Sequence, residues 1–163
     1  MTSQTNLIIR FAEPNDSDAL FALIQGLAEY EKLSAAVTGN AEALKDHLFG
    51  DTKYIEAIVA EVAGQAVGFA LFFHNYSTFL TKPGIYLEDL FVLPDYRRQG
   101  IGKALLNKLA KIAVERNCGR LEWSVLDWNV SAQEFYRSMG ADILEDWRIC
   151  RVSEAAISEL ANK

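Results

Sequence analysis

A chain of 163 residues, half of them hydrophobic and 23% charged, is long enough for one domain with a real core and too apolar to be disordered. Its net charge of −6 argues against a nucleic-acid partner, which needs a basic face, and would suit a cationic substrate. No apolar run approaches the roughly 18 residues of a membrane span, and the polar start Met1–Asn6 reads as no secretory signal, so no membrane partner is expected.

The cysteines are Cys118 and Cys150, with no Cys-x-x-Cys, and the histidines His47 and His74 lie far apart. No metal site is expected from these residues. The thiols read as reduced side chains of a cytoplasmic protein.

Leu7–Phe11 is a short apolar run and the expected first strand. Glu13-Pro14-Asn15-Asp16 breaks it and offers helix N-caps. Ala19, Leu20, Leu23, Ile24, Leu27 and Ala28 recur at helical spacing, which predicts a helix to about Glu31. Its end carries Glu29-Tyr30-Glu31. The plain reading of these acids is a solvated helix end, but acids at a C-terminus oppose the helix dipole, and that sets them apart. Ser34–Asn40 is a loop and Ala41–Phe49 a second, short helix ending at Gly50. Tyr54–Val62 and Ala66–Phe73 flank the turn Ala63-Gly64-Gln65 and form a predicted hairpin. His74–Gly84 reads as a polar, aromatic loop, and Ile85–Val92 as the third strand of a meander.

Pro94 and Asp95 end that strand, and Arg97-Arg98-Gln99-Gly100-Ile101-Gly102 opens a helix with apolar residues at Ile101, Leu105, Leu109, Ile112 and Ala113. This turn suits an anion. A helix N-terminus leaves N–H groups unpaired and carries partial positive charge. Gly100 and Gly102 put no side chain in front of that backbone. Arg97, Arg98 and Lys103 add full charges, so a phosphate or pyrophosphate would fit. The turn lacks the Gly-Lys-Ser/Thr of a Walker loop, and Pro94-Asp95-Tyr96 separates it from its strand, unlike a dinucleotide fingerprint. On this pattern alone, two glycines can also simply begin a helix.

Leu121–Leu126 reads as a further strand, so strand, helix and strand imply a parallel pair. Asn129 or Ser131 caps a helix reaching Met139, and Gly140 is its stop. Ile143–Val152 is expected to be a last strand, and Ser153 to cap a C-terminal helix to about Ala161. The pattern is a single α/β (α+β) domain over residues 1–163, a mixed and mostly antiparallel sheet with helices on both faces.

Arg-x-x-Gly-x-Gly after Leu87-Glu88-Asp89-Leu90-Phe91-Val92 resembles the acetyl-CoA-binding segment of the GNAT superfamily of N-acetyltransferases. Leu126-Asp127-Trp128-Asn129 and Phe135-Tyr136-Arg137-Ser138-Met139-Gly140-Ala141 resemble the second conserved block of that family. The resemblance runs from Leu7 to Val152. It implies the same fold, with the last meander strand splaying from its parallel neighbour to admit acetyl-CoA, and no metal. It implies backbone contacts to the cofactor from Leu90, Phe91 and Val92, often at a bulge, and pyrophosphate contacts from Arg97, Arg98, Gln99, Gly100, Ile101, Gly102 and Lys103. It also implies a hydrogen bond from Asn129 to the pantetheine arm.

Acetyl transfer to an amine also needs a base and an acid. An alkyl ammonium has a pKa of about 10.4, so a proton must leave it. By the family match Glu88 is the base, although a strand carboxylate can equally be half of an ion pair. Tyr136 is the matching acid for the departing thiolate and a contact of the cofactor, although beside Phe135 it can equally be a packing residue. The set LIQGLAEYEK from Leu23, YLEDLFV from Tyr86 and LDWN from Leu126 resembles the spermidine/spermine, or diamine, acetyltransferase group. There Tyr30, Glu31, Glu88 and Asp89 would line the amine site. Polyamine-specific members carry an acid where this chain has Asn75-Tyr76-Ser77-Thr78-Phe79, which looks more like the branch acetylating thialysine on its side-chain amine. A homodimer is implied by the resemblance alone. Two other readings remain: transfer to a protein or peptide amine, and a non-catalytic acyl-CoA sensing module.

Overall fold

The computed structural model describes residues 6–163, so the polar start read above lies, except for Asn6, outside the described residues. The chain forms two compact units, one through Ser124 and one from Val125 to Lys163.

The larger unit carries a five-stranded sheet in sequential order. Its strands are β1 (Leu7–Phe11), β2 (Glu56–Val62), β3 (Gln65–Ser77), β4 (Lys82–Val92) and β5 (Leu121–Glu122), and its helices are α1 (Ser17–Tyr30), α2 (Ala41–Phe49) and α3 (Ile101–Glu115). Strands β1 to β4 pair antiparallel, and β4 pairs with β5 in parallel. Both faces are covered, as expected of a sheet joined by a strand–helix–strand crossover. Ala57 and Val59 of β2, Phe69 and Leu71 of β3 and Phe91 of β4 form a core with Leu20, Leu23 and Leu48 of α1 and α2. The alternate residues Ile58, Ala70 and Phe72 are also fully buried, and by strand alternation they face the other way. That side meets α3, whose Leu105, Leu109 and Ile112 are buried.

The hairpin of β3 and β4 is longer than the sequence pattern suggests. Residues read as a loop from His74 to Gly84 continue both strands, with pairs His74↔Ile85, Asn75↔Gly84 and Tyr76↔Pro83. Alternation of polar and aromatic residues hid a strand pair that leaves Tyr76 and Phe79 exposed. The base of this hairpin is fastened to α3. Arg116 makes a two-pronged ion pair with Glu56, at 2.6 and 2.8 Å, and also meets His74 Nε2 at 2.9 Å. His74 Nδ1 lies 3.0 Å from the Gly84 carbonyl, which can only accept. That nitrogen therefore donates, and Nε2 accepts from Arg116.

Strand β4 contains a bulge. Leu71 pairs with Asp89 but Phe72 pairs with Leu87, so Glu88 is an extra residue without a partner. The bulge moves Asp89 off the face that Leu87 occupies.

In the smaller unit, α4 (Val130–Ser138) follows an Asn129 N-cap and α5 (Glu154–Ala161) follows Ser153. Gly140, with φ 91°, follows the end of α4. The expected strand Ile143–Val152 is not formed. Its β-branched and aromatic residues have strand propensity, but propensity becomes a strand only beside a partner, and Trp147 and Ile149 are exposed.

Candidate active site

The turn from Arg97 to Gly102 lies between β4 and α3, where the sequence suggests. A short 3₁₀ turn, Pro94–Tyr96, leads from β4 to α3. Gly100 is the N-cap of α3 at φ 81°, ψ 3°, with no side-chain cap. Arg98 is also left-handed, at φ 59°, a strain that tends to collect where backbone must face a ligand. The first helical bond runs from Ala104 N–H to Gly100 O at 2.9 Å, so the N–H groups of Ile101, Gly102 and Lys103 have no intrahelical acceptor. A Cβ on Gly100 would meet no atom within 4 Å. Open space, unspent donors and the exposed cations Arg98 and Lys103 fit a pyrophosphate. Gln99 turns its amide to the Asp95 carbonyl at 3.1 Å and holds the turn's shape.

Beside the turn lies an open strand edge. Strands β4 and β5 pair only at Ile85↔Leu121 and Tyr86↔Glu122, yet β4 runs on to Val92. Leu93 N–H donates toward β3, to Val67 O at 2.8 Å. Peptide groups alternate along an antiparallel strand, so those of Val92 and Leu90 point to the open side. A ligand arm with amides could pair there. Phe91 sends its ring the other way, into the core beneath α1. Its Cε1 would stand 3.1 Å from a Cβ on Gly26, which is why α1 can lie so close.

Arg97 does not simply face the turn. Its Nε donates to Val92 O at 2.9 Å, and its guanidinium lies 4.6 Å from the Tyr30 ring centroid and 5.4 Å from that of Phe91.

Three acids gather on the α1 side. Asp89 shares its face with Phe91 because of the bulge, and its carboxyl is pushed up to about 6 by burial first, then by the charges of Glu88 and Glu31. Burial also raises the carboxyl of Glu31, at the C-cap of α1 beside the exposed Tyr30. Glu88 sits exposed on the bulge. Such a group of acids can hold a cation, and a carboxyl near 6 can accept a proton close to neutrality. By resemblance Asp89 is only a substrate contact; its altered titration depends on a bulge that strand alternation alone does not reveal.

In the smaller unit, Asn129 Oδ1 accepts from Ala132 N–H at 3.3 Å and so caps α4. Tyr136 lies on α4 with its ring 5.4 Å from that of Phe135. The acid-free stretch of the hairpin is partly occupied in structure: Asn75 Nδ2 donates to Glu122 Oε1 at 3.0 Å, and Arg120 pairs with Glu122 at 2.6 Å.

Residues 22–141 match the model of the acetyltransferase (GNAT) family. The chain is similar to a thialysine N-epsilon-acetyltransferase of Bos taurus, at 39% identity over 96% of this chain and 98% of that one. An L-ornithine N5-acetyltransferase of Arabidopsis thaliana is 50% identical over 57% of this chain and 41% of its own length. Among solved structures, an integron cassette protein from the mobile metagenome of V. cholerae superposes with a TM-score of 0.80 at 25% identity, covering 96% of this chain and 98% of the other.

Proposed function

The chain belongs to the acetyltransferase (GNAT) family and is an N-acetyltransferase acting on amines, and from that premise we propose that acetyl-CoA is its donor and the side-chain amine of a small, lysine-like amino acid its acceptor. The observation that carries the acceptor class is the group Glu31, Glu88 and Asp89, with Asp89 held near 6, in a chain whose full-length relative is named for thialysine. The partial likeness to an ornithine enzyme supports the same class. The protein is proposed to act as one domain over residues 1–163, in the cytoplasm and as a homodimer; length and element pattern support the first, the free thiols the second, and the family resemblance the third.

Acetyl-CoA supplies the activated acetyl group when bound. The N–H groups of Ile101, Gly102 and Lys103, with Arg98 and Lys103, hold its pyrophosphate, and the outward peptides of Leu90 and Val92 pair with its amide arm. Glu31 and Asp89 hold the ammonium end of the amine, and Glu88 or Asp89 takes the proton that must leave before the nitrogen can attack. An unpaired N–H at the β4 edge can polarise the carbonyl under attack. Tyr136 donates the proton that the departing thiolate needs.

Thiol release from acetyl-CoA, measured with thialysine, lysine, ornithine, putrescine, spermidine and an N-terminal peptide, tests this reading. Thialysine, lysine or ornithine is expected to turn over fastest. Turnover on the peptide alone would transfer the protein to the protein-acetylating class, and acetyl-CoA binding without any turnover would make it a sensing module. Tyr136→Phe is expected to lower kcat about a hundredfold, the usual scale for loss of a general acid, with acetyl-CoA affinity unchanged by calorimetry. If kcat holds, Tyr136 is a packing partner of Phe135.

A further inference from the structure

We propose that Arg97 is a positioning residue that couples the two halves of the site, tying the amine end to the acetyl-CoA end, rather than a ligand of the pyrophosphate. This rests on the reading above for what occupies each half. The guanidinium is already committed. Nε bonds the Val92 carbonyl at 2.9 Å, its face lies 4.6 Å from the centre of the Tyr30 ring, and Phe91 stands at 5.4 Å on the same group. The ion pairs among the described residues do not include Arg97, so its charge is balanced chiefly by ring faces and one carbonyl, a contact that strengthens as water is excluded. Its backbone is tied too, with Arg97 N–H on Pro94 O at 3.2 Å.

Two consequences follow from where these contacts lie. Val92 is the last residue of β4, and its carbonyl points to the open edge. With Arg97 on that oxygen, an extended ligand arm laid along the edge has the Val92 N–H to itself but must share the Val92 carbonyl with the guanidinium. Arg97 therefore favours one register of the arm, which sets how far its reactive end reaches toward the acids. Tyr30, in turn, is the final residue of α1 and is followed by Glu31. Any shift of the turn from Arg97 to Gly102 when it closes on an anion is transmitted through the guanidinium to Tyr30 and to the acid beside it. Binding in either half then tightens binding in the other by the same factor.

The test measures affinities rather than turnover. CoA affinity is measured with and without saturating amine, using lysine, thialysine and spermidine in turn, for the wild type, Arg97→Gln, Arg97→Lys, Tyr30→Leu and the Arg97→Gln/Tyr30→Leu double variant. Pantetheine, which lacks the pyrophosphate, is measured beside CoA. The wild type is expected to show a coupling factor of roughly five to a hundred. Each single variant brings it toward one, the double variant adds nothing further, and Arg97→Gln weakens CoA and pantetheine by the same factor. Arg97→Lys keeps the charge but cannot span both partners, so it also loses coupling. Full coupling in the Arg97 variants would overturn the proposal, as would a loss of CoA affinity that spares pantetheine and is rescued by lysine. An error in the amine assignment shows differently: the wrong amine elicits the coupling, and the Arg97 variants still abolish it.

Discussion

Gly100→Glu is expected to abolish acetyl-CoA binding. Two effects combine at this residue. Gly100 is left-handed, at φ 81°, where a side chain costs roughly 1–2 kcal/mol. The larger effect is chemical. The space before it is open, so a carboxylate there meets the unspent N–H groups of α3 and takes the place of the phosphate. Loss of even two charge-assisted hydrogen bonds, at about 1.5–3 kcal/mol each, weakens binding at least a hundredfold. Gly100→Ala separates the two effects. It carries the backbone strain without the charge and is expected to keep most of the affinity. Calorimetry with CoA decides the matter, and unchanged affinity in the glutamate variant would remove the anion turn from the site.

The second large effect has opposite signs in activity and stability. Asp89→Asn removes a carboxyl that the fold holds near 6 instead of its ordinary 3.8. In wild type, kcat/KM is expected to fall as pH drops through about 6, because the protonated acid can neither hold an ammonium nor accept a proton. The variant is expected to lose this limb together with most of the activity. Stability follows from the same shift. The folded chain binds this proton more tightly than the unfolded chain does. The resulting stabilisation is full below the unfolded pKa and is lost as pH rises through about 6. Asparagine suffers no such loss, so the variant is expected to be more stable than wild type at pH 8, by about 3 kcal/mol on the conversion of 1.36 kcal/mol per pKa unit, with the gap closing toward pH 4. Urea unfolding at the two pH values measures it. An equal stability at pH 8 would mean that the Asp89 carboxylate is well hydrated, and the amine site would then need another acid.

Much of this architecture was legible in the residues. Helical spacing in α1 and α3, the break at Pro94 and the Gly100 turn are local signals, and the structure realises each where it was expected. What escaped was set by partners. The bulge at Glu88 arises from how β4 meets β3, and no property of Glu88 itself announces it. The strand expected over Ile143–Val152 had the composition of a strand but not the neighbour. In the site, the turn could be read as an anion holder from its glycines, but the Arg97 side chain could not be separated from Arg98 and Lys103, because a count of positive charges says nothing about which one is engaged by Tyr30 and Val92.

The bulge also makes β4 a strand that counts. Before it, Leu87 belongs with Phe72 and the α3 layer; after it, Phe91 belongs with Phe69 and the α1 layer. One residue of odd length is what changes the phase. Substitution at position 88 leaves that phase intact, whatever the new side chain. Removing the residue would set Leu87 next to Asp89, opposite Phe72 and Leu71, and regular alternation would then keep both apolar layers as they are. What such a deletion takes away is the local bend and extra twist that a bulge gives its strand. The residue therefore shapes β4 beside the acids and is not needed to fill either layer.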